Sequence, residues 1–230
     1  MIALIEQAVI DRLAQGLGKL VTGVHSYGGE LDEEGLYQVV RQLPAAWVTF
    51  GGITKTEPIQ TSRKRYKASA KFVVLVADRS YRSEAASRTG GAGRWEIGTY
   101  RLIYAVRRLL CGQDLGLPID NLQPEAVRTL FNGRMERTEA MSVYACEFAT
   151  HWTEEALPKG EWPQVPPVPP PPPPGQAAPP PHPDRIFAAY DGRTDPPYPV
   201  FKGGSLHVHT PADSPQPAIE AQIDQLGDTP

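Results

Sequence analysis

The chain has 230 residues, 40% of them hydrophobic and 21% charged, with a formal net charge of −3. That balance is ordinary for a soluble protein of one or two domains and lacks the strong cationic excess of a general nucleic-acid binder. No run approaches the ~20 apolar residues of a membrane span. The start, Met1 to Gln7, has no basic region and meets Glu6 early, so the expectation is a cytoplasmic chain without a secretion signal.

Proline divides the chain. Of 25 prolines, only Pro44, Pro58, Pro118, Pro124 and Pro158 lie before residue 160. A body of about 160 residues is enough to bury a sizeable core. Charge divides at the same place: three basic and seven acidic residues follow Pro163, which leaves the extension near −4 and the body near +1. Cys111 and Cys146 sit far apart in apolar surroundings and read as buried free thiols rather than a disulfide or metal pair.

In chain order, Ile2, Ile5, Val9, Leu13 and Leu17 recur at spacings of three and four, which predicts an amphipathic helix over 2–17, ended by Gly16 and Gly18. A short strand is expected over Leu20–His25, then a turn at Tyr27-Gly28-Gly29. Asp32 reads as the N-cap of a second helix, Glu33 to Leu43, stopped by Pro44. Ala45–Phe50 reads as a short strand, Gly51-Gly52 as a turn, and residues 53–62 with Pro58 as a loop or edge strand.

The stretch from Arg63 to Ser80 is the clearest element. Tyr66, Ala68, Ala70, Phe72, Val74 and Val76 alternate on one face. The other face begins with Arg65, Lys67, Ser69 and Lys71 and turns apolar at Val73, Leu75 and Ala77. A strand apolar on both sides must be covered twice. Its second half is therefore expected in the centre of a sheet, and its basic first half to project.

A polar, flexible connection is expected over Arg79–Gly93. It leads into the strongest helix, Arg94–Cys111, with Tyr100, Ile103, Val106 and Leu110 as its stripe, Leu102 and Leu109 beside it, and Gly112 at the C-cap position. Asp114 to Pro118 forms a turn. Val127–Phe131 reads as a short strand and Asn132-Gly133 as a hairpin turn. Ala140–Trp152 reads as the last strand, with Tyr144, Cys146 and Phe148 on one side and Met141, Val143, Ala145 and Ala149 on the other. The body is thus an α+β domain with a mixed, mainly antiparallel sheet and helices packed on one face. The pattern calls for another layer or a second subunit on the other face.

The domain plan is a body over 1–157, a Pro-rich polyproline II linker over 158–183 and an extended C-terminal arm over 184–230. Pro169 to Pro174 is unbroken, and at ~3.1 Å per residue about 20 residues would span roughly 60 Å. Beyond it lie the apolar clusters Ile186-Phe187-Ala188-Ala189-Tyr190 and Tyr198-Pro199-Val200-Phe201. They fit either a disordered tail with incidental hydrophobes or an arm whose tips dock elsewhere, with Ile186, Phe187, Tyr190, Tyr198 and Phe201 as the docking residues. A ligand for an adaptor of SH3 type would explain neither the body nor the tips.

Catalytic constellations are weak throughout. Gly90-Gly91-Ala92-Gly93 lacks the Lys-Ser/Thr of a phosphate loop, and position 96 is Glu where the dinucleotide spacing needs Gly. His207 and His209 lack a third ligand. His25 and His151 stand without an adjacent acid, and Asp32-Glu33-Glu34 is explained as a helix N-terminus. The sequence offers no catalytic, metal or cofactor site. The basic run Arg63-Lys64-Arg65, with Lys67 and Lys71, fits a solvated strand face, an ion-paired contact with an acidic partner, or nucleic-acid contact. Tyr66, the aromatic interleaved with it, points inward and away from base stacking.

Four phrases in order resemble the Mu-like phage tail terminator family. They are Tyr27-Gly28-Gly29-Glu30-Leu31; Leu43-Pro44-Ala45-Ala46-Trp47-Val48-Thr49-Phe50-Gly51-Gly52; Gly98-Thr99-Tyr100 opening a helix that ends Leu110-Cys111-Gly112-Gln113-Asp114-Leu115-Gly116-Leu117; and Val143-Tyr144-Ala145-Cys146-Glu147-Phe148. The resemblance covers about residues 1–157. It implies a structural protein rather than an enzyme, one whose copies form a ring, usually of six. Such a ring caps the tail tube, stops its polymerisation and joins the tail to the head connector.

On that resemblance the partners are further copies of the chain, the tube protein and the connector protein, with no membrane. DNA would pass through the lumen without specific binding. The place is the tail-neck region of the virion, after assembly in the host cytoplasm. Arg63, Lys64, Arg65, Lys67, Lys71, Arg79, Arg88 and Arg94 are the expected contacts with the tube or the next subunit, on the long strand with the loop Thr54–Ser62 and on the connection Arg79–Gly93. A connector or neck-adaptor ring subunit is the nearest alternative. A nucleic-acid-binding module using Arg63–Lys71 is the alternative of another class.

Overall fold

The computed structural model describes residues 1–29, 42–91, 93, 96–135, 139–166, 172–173, 182–195, 203–208 and 219–224; of residues 135, 203–208 and 219–224 it describes the backbone alone. The chain divides into two compact units, Met1–Ala156 and Leu157–Pro230.

The first unit opens with helix α1, Ile2–Leu17, whose Ile5, Val9, Leu13 and Leu17 are buried. Four residues are slightly more than one helical turn, so this spacing keeps all four on one stripe. A Cβ on Gly16 would lie 2.5 Å from Leu109 Cδ2. The missing side chain lets α1 approach the helix that carries Leu109, and Arg12 Nε donates to Leu109 O at 2.6 Å across the same contact. Gly18 ends α1 at φ 50, a conformation that disfavours side chains. The expected strand over Leu20–His25 is instead a 3-10 turn, Gly18–Leu20, followed by strand β1, Val24–Ser26.

Four longer strands follow: β2 Ala45–Pro58, β3 Arg65–Ser80, β4 Gln123–Met135 and β5 Glu139–Glu155. With β1 they make a five-stranded sheet in the order β1-β2-β3-β5-β4. The β1–β2 pair is parallel and the others are antiparallel. The longest ladder joins β3 to β5 from Arg65↔Glu155 to Ser80↔Ala140. These two strands are central, as their two-sided apolar pattern requires.

Residues opposite one another in that ladder share a face. One face carries Ala68, Ala70, Phe72, Val74 and Val76 with Tyr144, Cys146, Phe148 and Trp152, packed against α1 and helix α3, Thr99–Leu110. The other buries Trp47, Leu75, Ala77, Met141, Val143 and Ala145 in a second cluster. Among the described residues the helices of this unit lie on the first face of this mixed α+β fold.

Several boundaries differ from the sequence reading. Gly51-Gly52 is not a turn: β2 runs through it with a bulge between Phe50 and Gly52, and Gly52 takes φ 101. A glycine at positive φ inside a strand marks a bulge as readily as a turn. Residues 53–58 are the outer edge of β2, and the chain reverses over 59–64, where Arg63 stands at φ 51. Asn132-Gly133 likewise lies inside β4, paired with Ser142 and Met141.

The connection after β3 is not irregular throughout. It holds helix α2, Glu84–Thr89, capped by Ser83 Oγ, which accepts from Ala86 N. Helix α3 begins at Thr99 rather than Arg94, and its buried stripe is Thr99, Leu102, Val106 and Leu110. That stripe is rotated from the expected one, and Tyr100 is 48% exposed. The expected helix over 33–43 falls almost wholly outside the described residues.

In the second unit, Trp162 N donates to Asp195 Oδ2 at 2.7 Å, and the Arg193 guanidinium lies 4.6 Å over the Trp162 ring. A short helix, α4, covers Arg185–Ala189. Strands β6, Gly203–Val208, and β7, Ile219–Asp224, form a separate antiparallel pair that the sequence reading did not anticipate. Most of the run Pro169–Pro174, and Tyr198 and Phe201, lie outside the described residues.

Candidate assembly surface

The basic residues singled out in the sequence do not form one patch. Arg65, Lys67 and Lys71 lie toward the start of β3, beside Arg63 and Lys64 in the preceding turn, whereas Arg79 lies at its far end. Fourteen residue steps of extended chain take Arg65 to Arg79, roughly 45 Å. Arg94 lies outside the described residues.

Four of these cations, Arg65, Lys71, Arg79 and Arg88, have partners. Arg65 Nη2 is 2.7 Å from Glu155 Oε1. Arg79 Nη1 is 3.6 Å from Glu139 Oε2, and its guanidinium lies 5.3 Å from the Tyr81 ring centre. Arg88 Nη1 donates to Asn132 Oδ1 at 2.8 Å. Lys67 is half-buried opposite Glu57 and Thr153 in the two ladders.

Lys71 is the most engaged. Its Nζ lies 2.6 Å from Glu125 Oε2 and 3.2 Å from Glu147 Oε2, while Arg128 Nε lies 2.8 Å from Glu147 Oε1. The Glu147 side chain is only 11% exposed. The hydrogen bonds to Glu125 and then Glu147 raise the Lys71 pKa above the ordinary lysine value. This four-residue network joins β3, β5 and β4 on the face opposite α1 and α3. The sequence reading missed its other three members, although an acid between Ala145 and Phe148 in a doubly buried strand is a signal that demands a cation.

At the other end of β3, Asp78 is buried and accepts from Gly98 N at 2.7 Å and Arg79 N at 2.7 Å. Burial raises its pKa and the two backbone bonds oppose the rise. Ser142 Oγ, 3.0 Å from Thr99 Oγ1, donates to Ser87 O at 3.0 Å, which holds α2 and the start of α3 on the sheet. A cavity of about 590 Å³ opens beside Asp78, lined also by Lys19, Leu43, Arg82 and Glu96. On its wall Arg82 Nε lies 3.1 Å from Glu96 Oε1.

The margins of the sheet are open. Residues 53–58 of β2 are exposed, and residues 123–132 of β4 are exposed along their whole length, Val127, Leu130 and Phe131 included. Above β4 runs α3: the Tyr100 ring is 5.8 Å from the Tyr144 ring, and Arg107 Nη1 donates to Glu125 O at 3.2 Å. In the second unit Ile186, Phe187 and Tyr190 are exposed on and beside α4.

Other groups are accounted for locally. His151, which the sequence reading left alone, has Asp120 Oδ2 3.2 Å from its Nδ1. Burial pushes the Cys146 thiol up to about 12, and both cysteines are free thiols. Among the described residues no group of three His, Cys, Asp or Glu could hold a metal ion, and no helix is long and apolar enough to cross a membrane.

No curated protein matches the chain. Among solved structures 11 chains match. One of them, a chain of the virion of a native gene transfer agent particle, is 18% identical at a TM-score of 0.39, over 66% of this chain and 98% of that one. The family model described as bacteriophage Mu, Gp37 matches residues 1–153, which is nearly all of the first unit. With about two thirds of its length under that model, the chain belongs to the bacteriophage Mu Gp37 family.

Proposed function

We propose that the protein is a phage structural protein of the tail-terminator type. Its copies close into a ring, of six on the family resemblance, that caps the tail tube, halts addition of tube subunits and presents the tail to the head connector. The ring would sit in the tail-neck region of the virion. Membership of the Mu Gp37 family supports a phage role.

The observation that carries the reading is the pair of exposed margins on one sheet, β4 along its length and β2 over 53–58. Two different open edges on one subunit favour head-to-tail contact, and repeated head-to-tail contact closes into a ring when the rotation permits. Within Arg63–Lys71, the pairing of Arg65 and Lys71 with carboxylates reduces the charge available to phosphates, which weighs against the nucleic-acid module.

The test is to add purified full-length protein to polymerising tube protein, with tube length read by electron microscopy and assembly state by sedimentation. A terminator forms rings and shortens the tubes at one end. Rings that leave tube growth unchanged and bind portal-side protein would assign the chain to the neck adaptor instead.

A further inference from the structure

The second unit contains a divided hairpin. Strands β6 and β7 pair from Gly203↔Asp224 to Val208↔Ile219. Residues opposite one another across an antiparallel ladder share a face. The register therefore places Gly204, Leu206 and Val208 with Ile219, Ala221 and Ile223 on one face. Ser205 and His207 fall with Glu220, Gln222 and Asp224 on the other. A lone two-stranded hairpin is marginal in water. Its apolar face calls for cover and its outer edges call for another strand.

The first unit carries a surface of matching kind. Among the described residues β4 pairs with β5 alone. Val127 and Thr129 stand on its helix-side face, opposite Cys146 and Tyr144. Tyr100 and Arg107 of α3 both reach this strand's neighbourhood, and Tyr104 lies between them on the same stripe, 71% exposed. A strand added to β4 with its apolar face toward α3 would lie beneath Tyr104 and beside Val127. On the far face, where Glu220 and Asp224 would fall, β4 presents Arg128, 65% exposed beyond its contact with Glu147.

We propose that the β6–β7 hairpin of one copy docks by strand addition on the β4 edge of a second copy of this chain, its apolar face under Tyr100 and Tyr104. The inference rests on the ring reading, which sets copies side by side. Residues 156–202 separate β5 from β6 and include the run Pro169–Pro174. A connecting length of this size is enough to reach a neighbour.

The test uses full-length protein with Cys111→Ser. Arg108→Cys is placed in one sample and Ala221→Cys in another, and the two are mixed and treated with a short bismaleimide. The expected product is a covalent pair of the two chains that falls about tenfold or more when Ile219→Asp and Ile223→Asp are added to the second sample. Amides of 127–133 should also exchange more slowly in the unsubstituted protein than in the Ile219→Asp, Ile223→Asp variant. Absence of the pair, its indifference to the aspartates, or a cross-link formed only within a chain carrying both cysteines would overturn the docking. Sedimentation of the same samples separates the two ideas. Rings that cap tubes without the cross-link leave the function standing and remove the hairpin contact; a cross-link without rings does the reverse.

Discussion

Lys71 and Glu147 meet across the β3–β5 ladder at 3.2 Å, two residues off direct opposition, on the sheet face opposite α1 and α3. The contact makes Glu147 the hinge of a network that also holds Arg128 of the edge strand. Glu147→Ala leaves Arg128 without this carboxylate, while Lys71 keeps Glu125. The expected cost is about 1–3 kcal/mol, read by urea denaturation, with faster hydrogen exchange over 125–129. Lys71 adds a pH dependence of definite sign. Its folded pKa is raised, so its contribution is whole below 10.5 and is lost as pH climbs through the higher folded value. Thermal unfolding of Lys71→Met should accordingly approach that of the parent in strong alkali.

Asp78 behaves in the opposite sense. Its folded pKa is raised by burial, so the native state takes up the proton before the unfolded chain does. This group therefore adds stability as pH falls through its folded value toward 3.8. Asp78→Ala should cost about 1–3 kcal/mol at neutral pH by stranding the Gly98 and Arg79 amides. The gap between parent and variant melting temperatures should widen on acidification toward pH 4, and a gap that narrows would refute the assignment.

Gly16 is the tight point between α1 and α3. A side chain there meets Leu109 at 2.5–3.1 Å. Gly16→Leu forces the helices apart and should cost about 1–3 kcal/mol despite the better helix propensity of leucine. Gly18→Ala meets no atom within 4 Å but sits at φ 50, so its smaller penalty comes from the backbone alone. Calorimetry of the two variants separates packing from strain.

Lys67 and Lys71 differ in what surrounds them, which makes charge reversal informative. Lys71→Glu sets a third carboxylate beside Glu125 and Glu147 and should lower the melting temperature before any question of assembly arises. Lys67→Glu, opposite Glu57 and Thr153, should change stability by less than about 1 kcal/mol while impairing tube capping. Normal capping by a folded Lys67→Glu protein would remove this part of β3 from the assembly surface.

The central strands were legible because Val73–Ala77 and Val143–Phe148 are apolar on both faces, and only a doubly covered strand explains that. α1 was legible from four aliphatic residues at one spacing. Boundaries failed where glycine carries two meanings: Gly51-Gly52 and Asn132-Gly133 look like turns in sequence but lie within strands, at Gly52 as a bulge. The α3 stripe was misplaced because Tyr100 is large and apolar in outline, whereas Thr99 holds a buried position through Ser142 and Ser87. The ion network stayed hidden because Glu125, Arg128 and Glu147 converge on Lys71 only through strand order, which no local pattern encodes. The amphipathic hairpin was hidden for another reason: its strands are six residues each and lie beyond a proline run that reads as a polyproline II spacer.

Burial of Cys146 has a practical corollary. With its thiol held near 12, almost none of it is nucleophilic at neutral pH, whereas Cys111 lies nearer the surface. An alkylating dye will therefore mark Cys111 first, and the delayed labelling of Cys146 becomes a clock for how often the β3–β5 interior breathes open.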